Sequence, residues 1–206
     1  MNPNIDRRAE LAKEFDGFWK KVLNTQDSLF AQMTINDFVE LKKAISCINN
    51  IVTLLVTDRF IDFLLQNHVI SAEQAEKMHQ DVNQTHANTN GFDIECKENV
   101  KIVAEVKCNI PVGKNTFGAA QETGIMKDIK HLYCGKTKSD INEQEIGTYY
   151  KFMVVFDSDG VKNSVQKLVY KMHNHPDYAN IPIAEYEANI QLDTNTVYIA
   201  YISEIN

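Results

Sequence analysis

Residues 91–107 read GFDIECKENVKIVAEVK, and in this stretch the period of the chain changes. Phe92, Ile94 and Cys96 alternate with Asp93, Glu95 and Lys97, and Val100, Ile102, Ala104 and Val106 alternate with Lys101, Val103, Glu105 and Lys107. An apolar residue at every second position turns one face of a strand to a core and the other to solvent. Two half-buried strands joined by a tight turn are therefore expected. Side chains two apart share a face, so Glu105 and Lys107 project together while Val106 faces the core. The turn decides where Asp93 goes. A two-residue turn at Glu98-Asn99 pairs Asp93 with Ala104 and sends it to the opposite face. A three-residue loop, Lys97-Glu98-Asn99, pairs it with Val103 and sets it beside Glu105 and Lys107. Such loops commonly end in a residue at positive φ, which asparagine tolerates, and Asn99 stands there.

Upstream the period is helical. Ile5, Ala9, Ala12, Phe15, Trp19 and Val22 recur at three- and four-residue steps, as do Ile35, Phe38, Leu41, Ile45 and Ile48, continuing into Ile51, Leu54 and Leu55. Thr57-Asp58 offers a cap for a separate short helix over 60–65. Ser71 with Gln74 forms a capping box for another that reaches about Val82. Residues 83–91, NQTHANTNG, are rich in turn formers and read as a loop. Downstream, a loop at 109–115 leads to a helix over 116–132 and a second loop at 140–148. YKFMVVF at 150–156 is the continuous apolar run of a strand covered on both faces. A helix over 161–172 and a last strand, VYIAYI at 197–202, complete the pattern. The order predicts one α/β domain over 1–206: a mixed sheet flanked by helices in 86–206, with an N-terminal helical lobe in 1–85.

The composition suits that outcome. A chain of 206 residues with 44% apolar content, 8 Gly and 4 Pro can bury a core without bridges, and argues against disorder. The four cysteines, Cys47, Cys96, Cys108 and Cys134, form no CxxC pair and read as reduced thiols. The charged N-terminus lacks the apolar region of a secretory signal, and the apolar stretch at 51–56 is too short to span a bilayer. A soluble cytoplasmic protein with no membrane contact is expected. The net charge of −7 argues against a charge-driven nucleic-acid coat, but it is unevenly spread. Residues 1–90 hold 9 basic and 12 acidic groups, net −3, and residues 139–206 hold 4 and 10, net −6. Residues 91–138 hold 8 basic and 6 acidic groups, net +2, and this positive segment contains the hairpin.

Two carboxylates and an ammonium on one sheet face have a plain chemical use. Mg²⁺ prefers oxygen ligands and keeps part of its water shell. It can polarise a phosphoryl oxygen and lower the pKa of bound water, while a nearby lysine steadies the charge on the phosphate. Asp93, an 11-residue gap and Glu105-Val106-Lys107 resemble the D…(D/E)xK signature of the PD-(D/E)XK nuclease superfamily, which includes many type II restriction endonucleases. The resemblance covers roughly residues 71–156, where a helical lead-in, a hairpin, a helix and a strand follow the usual core order of that group. It implies a restriction-endonuclease-like fold. It also implies Asp93 and Glu105 as Mg²⁺ ligands with the Val106 carbonyl as a third, and Lys107 as the catalytic lysine. Phe92 stands where the family name has proline. Many members add an acid from a preceding helix, for which Glu73 and Glu76 are candidates. Gln121 lies where some relatives carry a glutamine, although Ile125 replaces the tyrosine that follows it there. Lys114, Lys127 and Lys130 flank the site as candidate phosphate contacts.

Other motifs carry less. MVVFDSDG at 153–160 resembles the nucleophile motif of haloacid dehalogenase-like phosphatases, but only 46 residues follow Gly160 and they contain no later Asp pair to complete it. A turn and helix cap fit Asp157 to Gly160 better. His173 and His175 read as a helix end, and Phe15, Phe18 and Trp19 as core or dimer interface. GxGxxG, GxxxxGK[ST] and GxSxG are missing. The expected protein is a Mg²⁺-dependent endonuclease acting on double-stranded DNA, of restriction-enzyme character. It is expected to be a homodimer with one site per strand. The competing expectation is a non-catalytic module that keeps the fold and binds nucleic acid or protein.

Overall fold

The computed structural model describes residues 6–24, 27–84, 91–112, 115–137, 139–141, 143–188 and 190–203. The chain divides into two compact units, Met1–Ile48 and Asn49–Asn206. The boundary therefore falls well before residue 85, and residues 49–84 belong with the α/β unit.

In the first unit, Asp6 caps helix α1 (Arg7–Leu23) by accepting from the N–H groups of Arg8 and Ala9. Helix α2 (Ile35–Gln66) starts beyond a loop that Asp16 ties down through Ser28 and the Phe30 N–H. Phe15, Trp19, Phe30 and Phe38 meet edge-on or tilted, but α1 buries no residue and Phe18 is exposed, so the expected Phe15, Phe18 and Trp19 group is not a buried core.

Thr57-Asp58 does not start a new helix, contrary to expectation. Thr57 Oγ1 donates to the Thr53 carbonyl one turn back at 2.8 Å, so the hydroxyl serves the ongoing helix instead of capping another. With neither Gly nor Pro to break it, α2 runs for 32 residues. It is the one helix among the described residues long and apolar enough to cross a bilayer by length and composition, a property the six-residue stretch at 51–56 did not suggest. Its C-terminal turns bury Val56, Phe60, Ile61 and Leu64 in the core of the α/β unit.

That unit is a five-stranded mixed sheet with helices on both faces. Helix α3 (Ala72–Gln84) leads into β1 (Ile94–Cys96) and β2 (Ile102–Lys107). Helix α4 (Ala119–Cys134), β3 (Tyr150–Phe156), helix α5 (Val161–His173), β4 (Ile183–Glu185) and β5 (Val197–Ile202) follow. The spatial order is β1-β2-β3-β5-β4, with β1 antiparallel to β2 and every other pair parallel. Strand β4 went unread in the sequence because three residues are too few to show a period. The expected loop at 140–148 contains a 3-10 turn at Ile146–Thr148.

Alternation divides the core. Ile94, Ile102, Ala104, Val106, Phe152, Val154 and Tyr198 face α2 and α3, while Val103, Met153, Val155, Val197 and Ile199 pack with α4 and α5. Strand β2 is thus covered on both sides and is not half-exposed: Val103 is fully buried and Glu105 is 3% exposed. Lys151, inside the apolar run of β3, is also buried. Its ammonium donates to the carbonyls of Tyr149 and Thr194, and burial brings its pKa down to about 8.

Ser71 caps α3 through the Gln74 N–H, but the Gln74 side chain does not turn back to complete the capping box. It is buried and clips the hairpin turn, donating to the Val100 carbonyl at 2.7 Å and the Glu98 carbonyl at 3.3 Å and accepting from the Val100 N–H at 3.4 Å. His79 bridges Asp58 and Asp62 of α2, which outweigh burial and raise its pKa. Because the amide of Gln74 satisfies both backbone groups of Val100, Gln74→Ala is expected to cost about 1–3 kcal/mol in urea denaturation, whereas Glu73→Ala on the exposed side of α3 costs about 0.5 or less.

Candidate functional site

The hairpin pairs Ile94 with Ala104 and Cys96 with Ile102. Its connection is therefore residues 97–101, two longer than the expected loop. Asn99 does take positive φ, at 55°. A shift of two residues preserves which face each side chain occupies. Extended by one residue, the register sets Asp93 opposite Glu105 instead of Val103, on the face expected for it. There the Asp93 carboxylate satisfies the backbone, with Oδ2 accepting from the Val106 N–H at 2.7 Å at the point where β1 stops pairing.

Glu105 occupies the centre of the site. It lies on the α4 side of β2, and two lysines answer its charge. Lys107 Nζ is 3.5 Å from Oε2, and Lys136 Nζ is in contact with Oε1. The Lys136 contact is an ion pair, and Oε1 is buried with no other partner among the described residues. Burial, and secondarily the charge of Asp93, raise the Glu105 pKa to about 7 against the pull of both lysines. Lys107 itself is held by Asp128 of α4 at 2.7 Å. Burial works against its charge, but Asp128, with Glu105 and Asp93, outweighs burial and holds the ammonium above the ordinary lysine range. It stays charged at neutral pH and donates hydrogen bonds, and it does not act as a base.

Lys136 follows Gly135, which ends α4 at φ 91°. Its ammonium also donates to the Gly91 carbonyl at 2.6 Å and stands 4.9 Å from the centre of the Phe92 ring. A Cβ at Gly91 would lie 2.6 Å from Glu95 Oε1, so a larger residue there would have to move the end of the Glu95 side chain. Glu95 Oε1 in turn accepts from the Phe92 N–H and from Ser139.

Asp93, Glu105 and Lys107 are thus brought together as expected, joined by Asp128 and Lys136. Asp128 could have been found: it falls three residues after Ile125 and four before Leu132, on the edge of the apolar stripe of α4. Lys136 carries no such signal. The other candidates lie elsewhere. Glu73 and Glu76 are exposed on α3, which packs on the opposite sheet face, and they line a cleft with Lys97, Glu98 and Asn99. Gln121 is a local brace, accepting from the Gly118 N–H and donating to the Ile110 carbonyl. Lys127 is exposed on α4, and Lys130 stands over the Tyr178 ring. Lys114 lies outside the described residues. Asp157 pairs with Lys162 and Gly160 opens α5 at positive φ, which is the turn and cap expected of the DxDG stretch.

Among the described residues, no three His, Cys, Asp or Glu side chains form a metal-holding group. Compared with family models, curated proteins and solved structures, the chain matches none significantly.

The raised pKa of Glu105 has a thermodynamic sign. A carboxyl whose folded pKa lies above its unfolded value contributes stability that is present below about pH 4.5 and lost as pH rises through about 7. In chelator, wild-type protein is expected to lose up to about 3 kcal/mol relative to Glu105→Gln between about pH 5 and pH 8 in urea titrations. A difference that stays flat across that window contradicts the buried, repelled carboxylate.

Proposed function

We propose that the α/β unit is a Mg²⁺-dependent nuclease of the PD-(D/E)XK kind, hydrolysing phosphodiester bonds of double-stranded DNA, with restriction as its role. The observation that carries this reading is the buried Glu105 carboxylate. It is placed beside Asp93, with Oε1 buried and, among the described residues, partnered by Lys136 alone, and with a lysine two residues on held in its charged form. The order of helix, hairpin, helix and parallel strand supports the fold-family assignment.

The donor set fits the ion. Mg²⁺ is usually held by one or two carboxylates together with waters and substrate oxygens, so Asp93 and Glu105 suffice without a third side chain. The Val106 carbonyl would be the third ligand from the chain. When bound, the ion would polarise the phosphoryl oxygen and supply a water of lowered pKa. The residues of the chain do the rest. Lys107, fixed by Asp128 in its charged form, would orient the attacking water or a phosphate oxygen by a hydrogen bond and steady the charge on the phosphate, without itself gaining or losing a proton. Asp93, Glu105 and Asp128 set three carboxylates against the ammoniums of Lys107 and Lys136, an excess of one negative charge that a divalent ion reverses to one positive. The site then attracts a phosphodiester only when loaded.

Cutting both strands calls for two sites, and a second copy of the chain is the proposed partner. Helix α1, which has no buried residue, exposes Leu11, Phe18, Val22 and Leu23, a face suited to that contact. The proposed compartment is the cytoplasm. A second reading, a non-catalytic binding module, is favoured by the fact that Glu105 already has two cationic partners. Plasmid cleavage separates the two. Wild-type protein is expected to cut in Mg²⁺ and not in chelator, while Glu105→Ala and Lys107→Ala lower the rate by about a hundredfold or more. DNA binding without cleavage across varied substrates favours the module.

A further inference from the structure

We infer that Lys136 is the resident cation of this site, a positioning residue whose ammonium holds Glu105 until a divalent ion displaces it, and which thereby sets the affinity of the site for that ion. The inference rests on Asp93 and Glu105 being the metal ligands. A metal ion and an ammonium compete for the same lone pairs. Lys136 lies against Oε1 of Glu105, a buried oxygen with no other partner among the described residues.

The geometry also decides which lysine yields. Lys107 is 3.5 Å from Glu105 but 2.7 Å from Asp128, so it has a closer partner and keeps its place when Glu105 takes a metal. Among the described residues Glu105 is the one carboxylate paired with Lys136, so nothing but that contact opposes the stronger bond of a divalent ion to the same oxygen. Withdrawn from Glu105, Lys136 still has the Gly91 carbonyl at 2.6 Å and the Phe92 ring to receive it. It stands beyond the end of α4, in neither helix nor strand, so moving it disturbs no ladder.

While Lys136 occupies Glu105, only the fraction of molecules with a vacated carboxylate binds the ion, and the apparent dissociation constant rises by that factor. Calorimetric titration of Mg²⁺ into the full chain, without nucleic acid and at about pH 8.5 so that Glu105 is ionised, tests this directly. Lys136→Met is expected to bind about tenfold or more tightly than wild type. Lys136→Arg, which keeps the charge, is expected to stay within about threefold of wild type. Glu105→Gln is expected to lose binding. Lys136→Gln, which retains a donor for the Gly91 carbonyl, serves if the methionine variant melts early. If wild type binds Mg²⁺ and neither neutral variant binds more tightly, the displacement role is overturned and the nuclease proposal is untouched. If no variant binds, or if Glu105→Gln binds like wild type, the metal site itself is overturned, and the role of Lys136 with it.

Discussion

A carboxylate in the middle of a central strand, on a face covered by a helix, is the constraint around which this site is arranged. Glu105 lies between Val103 and Lys107 on the α4 side of β2, and its charge cannot reach bulk water. Leaving such a charge unpaired costs several kcal/mol. The segment after α4 supplies Lys136, β2 supplies Lys107, and α4 supplies Asp128 to hold Lys107 in place. The close packing of Gly91 under Glu95 lets the chain reach Lys136 with a carbonyl.

The two faces of the sheet divide structure from chemistry. Apolar side chains of β1, β2, β3 and β5 on one face form a core with α2 and α3. On the other face the same strands pack with α4 and α5 but carry the charged groups where β1 and β2 meet α4. Gln74 connects the two by acting at a distance from the site. Buried between α3 and the hairpin turn, it holds the backbone of Glu98 and Val100 in the turn that joins the strands carrying Asp93 and Glu105. Register is weakly specified by alternation alone, because shifts of two leave every side chain on its own face.

That degeneracy explains what was legible. Alternation over 91–107 shows which residues share a face, so Asp93, Glu105 and Lys107 were identifiable, and Asn99 announced the turn by its tolerance of positive φ. The same alternation cannot count the residues in the turn, whose backbone is held by a glutamine 24 to 26 residues earlier in the chain. It also misjudged exposure: Lys101, Glu105 and Lys107 at alternate positions suggested a solvent face, whereas α4 covers it and Glu105 and Lys107 are paired with Lys136 and Asp128. The capping signal at Thr57-Asp58 failed for a similar reason, since the hydroxyl found a carbonyl within its own helix. Lys136 and Asp128 reach the site through the packing of α4, a long-range fact that local patterns do not hold.

With Asp93 and Glu105 as the proposed ligands, what distinguishes an enzyme from a folded binding module is whether a divalent ion enters between them. Anomalous diffraction from crystals soaked in Mn²⁺ measures this most directly. The predicted result is a peak between the carboxylates of Asp93 and Glu105, with Lys136 drawn back from Glu105 and Lys107 still against Asp128. A metal-free site with Lys136 in place on Glu105 at saturating Mn²⁺ would contradict it.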